Sequence, residues 1–203
     1  MPVIVIANPK GGVGKSTIST NLAGYYASQG NKVMLGDIDS QQSSRAWLGL
    51  RQPHLPAIST WEIGEDKIAK PPKGSTHVVL DTPAGLKGNR LDNVLRIADK
   101  IIVPIQASMF DILATDEFLK RLAKREGKFE VGIVGMRMNI RTHSAELLGR
   151  YVSDLGIPVL GFLRETQNYV HLAAQGSTLW DVSPSKVEKD LDQWNSMLAW
   201  LGR

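Results

Sequence analysis

The chain alternates short, nearly continuous apolar runs with longer stretches in which apolar residues recur every three or four positions. The runs are rich in Val and Ile, as is typical of strands that are covered on both faces. They predict six strands, at Val3–Ala7, Lys32–Gly36, His77–Leu80, Lys100–Ile105, Val131–Met138 and Ile157–Leu163. The periodic stretches predict helices at about Lys15–Gln29, Leu91–Ala98, Met109–Arg125, Ser144–Leu155 and Ser185–Leu201. This order indicates a doubly wound α/β fold, with a mostly parallel sheet and helices on both faces.

One segment, between Leu50 and Ser75, does not follow this alternation. Prolines interrupt it at positions 53, 56, 71 and 72. Because proline ends helices and is excluded from central strands, we predict loops around one short helix here. The segment is too short for a second domain, so we expect residues 1–203 to form a single domain.

A glycine-rich stretch, NPKGGVGKST at residues 8–17, joins the first predicted strand to the first predicted helix. In that context the glycines let successive N–H groups point at phosphate oxygens, and the helix N-terminus adds positive charge. Lys15 would neutralise the β- and γ-phosphates, and the Ser16 hydroxyl would bind Mg²⁺. The predicted nucleotide-binding residues of this loop are Gly11, Gly12, Val13, Gly14, Lys15, Ser16 and Thr17.

Carboxylates follow two further predicted strands. Asp37 and Asp39 come after the second strand, and HVVLDTPAG places Asp81 at the end of the third. Ligands of open α/β sheets bind at these carboxyl ends. An apolar strand that ends in a carboxylate is typical of the Walker B segment, which holds Mg²⁺ through water. An alternative role for Asp37 and Asp39 is to cap the following helix.

The phosphate loop departs from the strict Walker A pattern, because Pro9 stands where that pattern has its first glycine. The remaining K-G-G-x-G-K-S is the deviant Walker A motif, and the carboxylate segments follow it in the expected order. On these residues the chain resembles the ParA/MinD family of P-loop NTPases. Ser40 replaces the proline that usually follows the second aspartate in this family.

The resemblance implies that ATP and Mg²⁺ are the cofactors, and it assigns roles to individual residues. Lys10 would cross to the phosphates of a partner subunit in an ATP-dependent homodimer. Asp39 would orient or activate the attacking water, and Asp37 would be an outer-shell partner of Mg²⁺. Asn139 and the region of Arg164 would contact adenine.

Composition and the C-terminal pattern exclude or disfavour some branches of that family. The chain has no cysteine, which excludes branches that hold an iron–sulfur cluster through thiolates. MinD-like members end in a helix that binds membranes. The last predicted helix here has an apolar stripe, but its opposite face mixes acidic and basic residues, so we expect core packing and no membrane contact. Trp200 lies off that stripe and favours the membrane alternative.

A ParA-like member would bind DNA without sequence preference as an ATP-bound dimer. The net charge of +4 permits such contacts, and basic residues are frequent between Lys120 and Arg164. The candidate DNA contacts are Arg141, Arg150, Arg164 and Lys186. The alternative is that these residues form an ordinary solvated face.

The resemblance thus implies a small ParA-type ATPase whose hydrolysis is stimulated by a separately encoded adaptor. Such an ATPase would position a plasmid, a chromosome or a protein compartment. The start of the chain has neither a basic leader nor a cleavage site, so we expect a cytoplasmic, nucleoid-associated protein. The alternatives are a MinD-like membrane-associated positioning ATPase and a P-loop metabolic ligase of the dethiobiotin synthetase kind. The four histidines are scattered, without the spacing of a metal site or a catalytic triad.

Overall fold

The computed structural model describes residues 1–39, 41–60, 73–106, 108–124, 129–138, 143–154 and 156–203. These residues form seven strands: β1 (Val3–Ile6), β2 (Val33–Asp37), β3 (Ile58–Ser59), β4 (His77–Asp81), β5 (Lys100–Gln106), β6 (Glu130–Met136) and β7 (Val159–Leu163). The strands make one sheet in the order β3-β2-β4-β1-β5-β6-β7. All the described pairings are parallel.

Helices follow most of these strands. The described helices are α1 (Lys15–Ser28), α2 (Ser43–Leu50), α3 (Gly88–Ile97), α4 (Met109–Ala123), α5 (His143–Ser153), α6 (Gln167–Ala173), α7 (Pro184–Asp192) and α8 (Asn195–Leu201), with a 3-10 turn at Leu179–Asp181. Helices α3, α4 and α5 cover one face of the sheet. Helices α1, α2, α7 and α8 cover the other face.

The apolar strands supply both of these cores. Val3 and Val5 of β1 belong to the core under α3–α5, while Ile4 and Ile6 belong to the core under α1. Because both faces are buried, the strand has no solvent side, and its sequence shows no polar alternation. The α/β architecture predicted from the sequence is therefore confirmed, and the sheet is parallel throughout its described part.

The structure differs from the sequence prediction at several elements. The strand β3 was not predicted because it has only two residues, and α6 was not predicted because it has only seven residues, of which none is fully buried. Residues 61–72, which include much of the proline-rich segment, lie outside the described residues. The helix predicted at Ser185–Leu201 is two helices, α7 and α8, with Gln193 and Trp194 between them.

The C-terminal segment departs from one regular helix at two places: Val187 has non-helical φ and ψ of −132° and 16°, and the amides of Gln193 and Trp194 bond to carbonyls three residues back. A continuous helix would carry Trp200 off the apolar stripe that includes Val187 and Trp194. In the structure, Val187, Trp194 and Trp200 are all buried. The ammonium of Lys100 donates to the Trp200 carbonyl at 2.7 Å and lies 4.6 Å from the centre of its indole ring. This C-terminal segment thus packs on the core, as the mixed charge of its outer face predicts.

Among the described residues, no helix has both the length and the apolar character needed to cross a bilayer.

Candidate functional site

The glycine-rich loop curls at the carboxyl end of β1. Gly12 and Gly14 adopt φ angles of 73° and 94°, a left-handed conformation that glycine enters without steric cost. Gly14 is the residue before α1, and its carbonyl accepts the first helical hydrogen bond, from the Ile18 amide at 3.0 Å. The N-terminus of α1 therefore faces the same space as the loop, which is the arrangement that binds phosphate.

Lys15 points its ammonium back across this loop. The side chain is largely buried, and Nζ donates to the Lys10 carbonyl at 2.8 Å. Burial lowers the pKa of the Lys15 ammonium, while the carboxylates of Asp81 and Asp39 act in the opposite direction. A cation held over a ring of N–H groups is suited to bind a polyphosphate chain.

The loop forms one wall of a cleft of about 850 Å³, large enough for a nucleotide. The loop after β2 supplies another wall with Asp39 and Gln41, and the TPAG segment after β4 supplies a third. Gly11, Gly12, Gly14, Lys15, Ser16 and Thr17 all line this cleft. Val13 is buried beneath it. The structure therefore brings together most of the residues predicted to bind phosphate.

Two carboxylates stand side by side beneath the cleft. Asp37 and Asp81 are register partners at the carboxyl ends of β2 and β4. Oδ2 of Asp81 accepts the Ser44 hydroxyl at 2.6 Å, whereas its Oδ1 is buried and accepts no hydrogen bond among the described residues. Burial raises the pKa of Asp81 to about 6, although the hydroxyls of Ser44 and Ser16 act in the opposite direction.

This donor set fits a hard divalent cation. Mg²⁺ takes oxygen ligands and keeps several waters, so it needs only a few protein groups. An unpaired carboxylate oxygen at Asp81 is a ready acceptor for such a water, and the Ser16 hydroxyl lies near the same carboxylate. Asp81 and Ser16 are therefore the residues here that could hold Mg²⁺.

Asp37 is already engaged by the backbone. Its Oδ1 accepts from the Asp39 amide at 2.9 Å, and its Oδ2 accepts from the amides of Ser44 at 2.8 Å and Arg45 at 3.3 Å. Burial raises the pKa of Asp37, and these backbone bonds lower it. Because two of the amides belong to the first turn of α2, Asp37 caps that helix, as the alternative interpretation of the sequence predicts. A role for Asp37 at Mg²⁺ stays a prediction.

Asp39 lies in a turn between β2 and α2. It is half-buried in the cleft wall, and its Oδ1 accepts the Gln41 amide at 3.0 Å. The turn continues through Gln42, whose φ of 48° is in the left-handed region. For a residue with a side chain this conformation is uncommon and costs about 1 kcal/mol.

Lys10 contacts its own chain. Its amide donates to Oδ1 of Asn8 at 2.7 Å, and its ammonium forms an ion pair with Asp111 at the start of α4. The Lys10 side chain is 41% exposed, while Asp111 is 7% exposed. The other oxygen of Asp111 accepts the Ser108 hydroxyl at 2.6 Å. For Lys10 to reach another subunit, this ion pair has to break.

Among the described residues, those predicted to contact adenine and DNA do not form one site. Asn139 and Arg141 lie outside the described residues. Arg164 lines a second cavity of about 650 Å³, and its Nε donates to the fully buried Asp190 at 2.5 Å. Arg150 and Lys186 are exposed, but their helices α5 and α7 pack on opposite faces of the sheet.

Sequence reasoning did not select three residues that the structure brings to the site. Ser44 joins the two carboxylates, Asp111 holds Lys10, and Arg137 lines both the cleft and the second cavity. Asp111 and Arg137 are isolated charges in sequence, and Ser44 is one of several serines in SQQSS, so no local pattern distinguishes them.

The fold and this cleft define a P-loop nucleotide-binding protein with the deviant form of the phosphate loop. The family model of the CobQ/CobB/MinD/ParA nucleotide binding domain matches residues 4–179, and the chain belongs to this family. The resemblance drawn from the loop and the carboxylate segments is thereby confirmed.

Relatives within the family include proteins named for positioning. Maintenance of carboxysome distribution protein A of Halothiobacillus neapolitanus is 29% identical over 167 residues, which is 77% of this chain and 76% of that protein. The chromosome-partitioning ATPase Soj of Thermus thermophilus is 31% identical over 139 residues, 53% of this chain and 55% of that protein. Among solved structures, an ATP complex of McdA from Cyanothece has a TM-score of 0.67 at 18% identity and covers 97% of this chain and 96% of that chain. At that identity the likeness establishes the fold.

Proposed function

We propose that this chain is a ParA-type ATPase that acts as a single domain over residues 1–203. ATP and Mg²⁺ bind in the cleft, two ATP-loaded chains dimerise, and the dimer binds DNA without sequence preference. Slow hydrolysis, stimulated by a separately encoded adaptor, then releases it. The observation that carries the proposal is a cleft lined by the glycine-rich loop, Lys15 and Asp39, with the buried Asp81 carboxylate near enough to Lys15 to oppose the lowering of its pKa.

Each group in the cleft has a distinct task in this proposal. The loop amides and Lys15 bind the β- and γ-phosphates, and Ser16 and Asp81 hold Mg²⁺, which neutralises charge that develops on the transferred phosphoryl group. Asp39 orients the attacking water. Lys10 leaves Asp111 and adds a second cation at the partner's triphosphate, where it disperses charge as an arginine finger does.

The proposed task is to position cargo in the cell. The relatives named above for carboxysome distribution and chromosome partitioning support this class of task. DNA would serve as the track, with Arg141, Arg150, Arg164 and Lys186 as candidate contacts, which makes the protein cytoplasmic and nucleoid-associated. Because Arg164 is held by Asp190, Arg150 and Lys186 are the stronger candidates among the described residues.

Membrane attachment through the C-terminal helix has less support. Trp200, the residue that favours it, is buried under the ammonium of Lys100. The large apolar side chains that are exposed in the described residues lie elsewhere, at Met1, Leu50, Phe110, Leu113 and Val170. These positions favour DNA over a membrane as the surface that the protein binds.

The test is size-exclusion chromatography with ATP, with ADP and without nucleotide, each with and without plasmid DNA. We expect a monomer without nucleotide and with ADP, and with ATP a dimer that elutes with the DNA. A particle that stays monomeric with ATP would contradict the proposal. Cosedimentation with liposomes and not with DNA would instead support a membrane-associated ATPase.

A further inference from the structure

Ser44 occupies an unusual place beneath the cleft. It lies in the first turn of α2, it is fully buried, and it donates two hydrogen bonds to two different carboxylates. Its hydroxyl binds Oδ2 of Asp81 at 2.6 Å, and its amide binds Oδ2 of Asp37 at 2.8 Å. One residue thus ties together the ends of β2 and β4.

The two carboxylates need such a donor. Asp37 and Asp81 are paired in register on adjacent strands, and both are largely buried. Buried like charges destabilise each other, and each carboxylate also loses its hydration on folding. Hydrogen bonds to the charged form offset part of this cost.

The Ser44 hydroxyl also selects which oxygen of Asp81 remains free. With Oδ2 fixed, the carboxylate cannot rotate without losing a short hydrogen bond. The other oxygen, Oδ1, is buried and accepts no hydrogen bond among the described residues, so it is available to a water bound to Mg²⁺. The orientation of a metal-binding carboxylate is commonly set in this way by a neighbouring donor.

We infer that Ser44 is the positioning residue of the Mg²⁺ site. The inference rests on the proposed Mg²⁺–ATP function. The Ser44 amide also holds Asp37, whose other oxygen accepts the Asp39 amide.

The experiment measures binding of a fluorescent ATP analogue as Mg²⁺ is titrated, and again in EDTA. For Ser44→Ala we expect the half-saturating Mg²⁺ concentration to rise about tenfold, the usual effect of losing a group that orients a metal ligand. Binding in EDTA should stay at the parental level, because Lys15 and the loop amides are intact. Ser28→Ala, on the last turn of α1, is the matched control and should titrate like the parent.

Two further variants separate positioning from packing. Ser44→Thr keeps the hydroxyl and should keep the parental Mg²⁺ response, whereas Ser44→Cys keeps the size, has only a weak donor, and should show the alanine shift. A melting curve verifies that each variant is folded, and if Ser44→Ala is not, the cysteine variant carries the test.

The outcomes distinguish the inference from the function on which it rests. If the parent responds to Mg²⁺ and Ser44→Ala responds identically, or if Ser44→Thr shifts as far as Ser44→Ala, the positioning role is wrong. If the parent binds no analogue with or without Mg²⁺, the proposed function is wrong and the inference falls with it.

Discussion

At the scale of single residues, the side chains of the two lysines of the phosphate loop make different contacts. Lys15 is largely buried and binds a loop carbonyl, whereas Lys10 is 41% exposed and is paired with Asp111. The loop itself thus holds one ammonium at the phosphate position, while an adjacent helix holds the other. We therefore expect substitution of Lys15 and substitution of Lys10 to impair different properties of the protein.

We expect Lys15→Ala to weaken ATP binding by one to two orders of magnitude, the usual cost of losing a hydrogen bond to a charged partner. Lys10→Ala should bind ATP at the parental level but form no dimer and hydrolyse no ATP. Calorimetric titration and sedimentation velocity measure the two properties. Lys32→Ala, an exposed lysine ahead of β2, is the control. A Lys10→Ala protein that hydrolyses ATP at the parental rate as a monomer would refute the role in the partner's site.

Asp111→Asn should make dimerisation easier. The substitution removes the charge that retains Lys10, and a half-exposed ion pair of this kind contributes about 0.2–1 kcal/mol. Because a homodimer breaks two such ion pairs, we expect the ATP-bound dimer to form at up to about thirtyfold lower protein concentration in sedimentation velocity. Asp116→Asn, which breaks the Asp116–Lys120 ion pair on the same helix, should leave dimerisation unchanged. Weaker dimerisation of Asp111→Asn would mean that Asp111 supports the dimer.

The sequence could predict the residues that belong to a continuous motif. Lys15, Ser16 and Asp81 follow directly from a loop or from a strand that ends in a carboxylate. Asp111 and Ser44 reach the site only through the tertiary fold, since they belong to the starts of α4 and α2. Hydrogen bonds between elements that are distant in sequence produce no periodic pattern in the sequence, so no sequence pattern identifies Asp111 and Ser44.

At the scale of elements, apolar runs predicted most strands of the sheet, because strands that are buried on both faces consist largely of apolar residues. The same rule is less informative at the C-terminus. There the stripe of Val187 and Trp194 predicts one helix, whereas the backbone leaves the helical region at Val187 and the helix is interrupted at Gln193 and Trp194. Periodicity indicates which residues face the core along one axis, and it cannot reveal where that axis turns.

Trp200→Ala tests whether the C-terminal helix belongs to the core. The substitution removes a buried indole and its contact with Lys100, and we expect the free energy of unfolding in urea to fall by about 3–5 kcal/mol. Trp200→Phe should lose less, since it keeps most of the buried area. A loss below about 1 kcal/mol for Trp200→Ala would show that the helix does not depend on this contact.

At the scale of the whole molecule, the proposed DNA contacts lie on helices that cover opposite faces of the sheet. Helix α5 carries Arg150 on one face, and helix α7 carries Lys186 on the other. In one chain the sheet separates these two contacts, so a continuous DNA-binding surface would require two chains. DNA affinity should therefore depend on the dimer, and on salt.

Arg150→Ala and Lys186→Ala should each weaken DNA binding of the ATP-loaded protein evenly across sequences. Each lost phosphate contact should reduce the slope of log affinity against log salt by about 1 per chain. Fluorescence anisotropy at a series of salt concentrations measures this slope, with Lys32→Ala as the control. An unchanged slope for both variants would place the DNA surface elsewhere.

The left-handed backbone of Gln42 affects the stability of the turn that carries Asp39. Its strain of about 1 kcal/mol is offset by the hydrogen bonds that hold the turn on Asp37. Gln42→Gly would remove this strain and keep those bonds, since glycine enters the left-handed region without steric cost. A residue with a side chain at this position therefore lowers the stability of the turn, which a glycine would preserve.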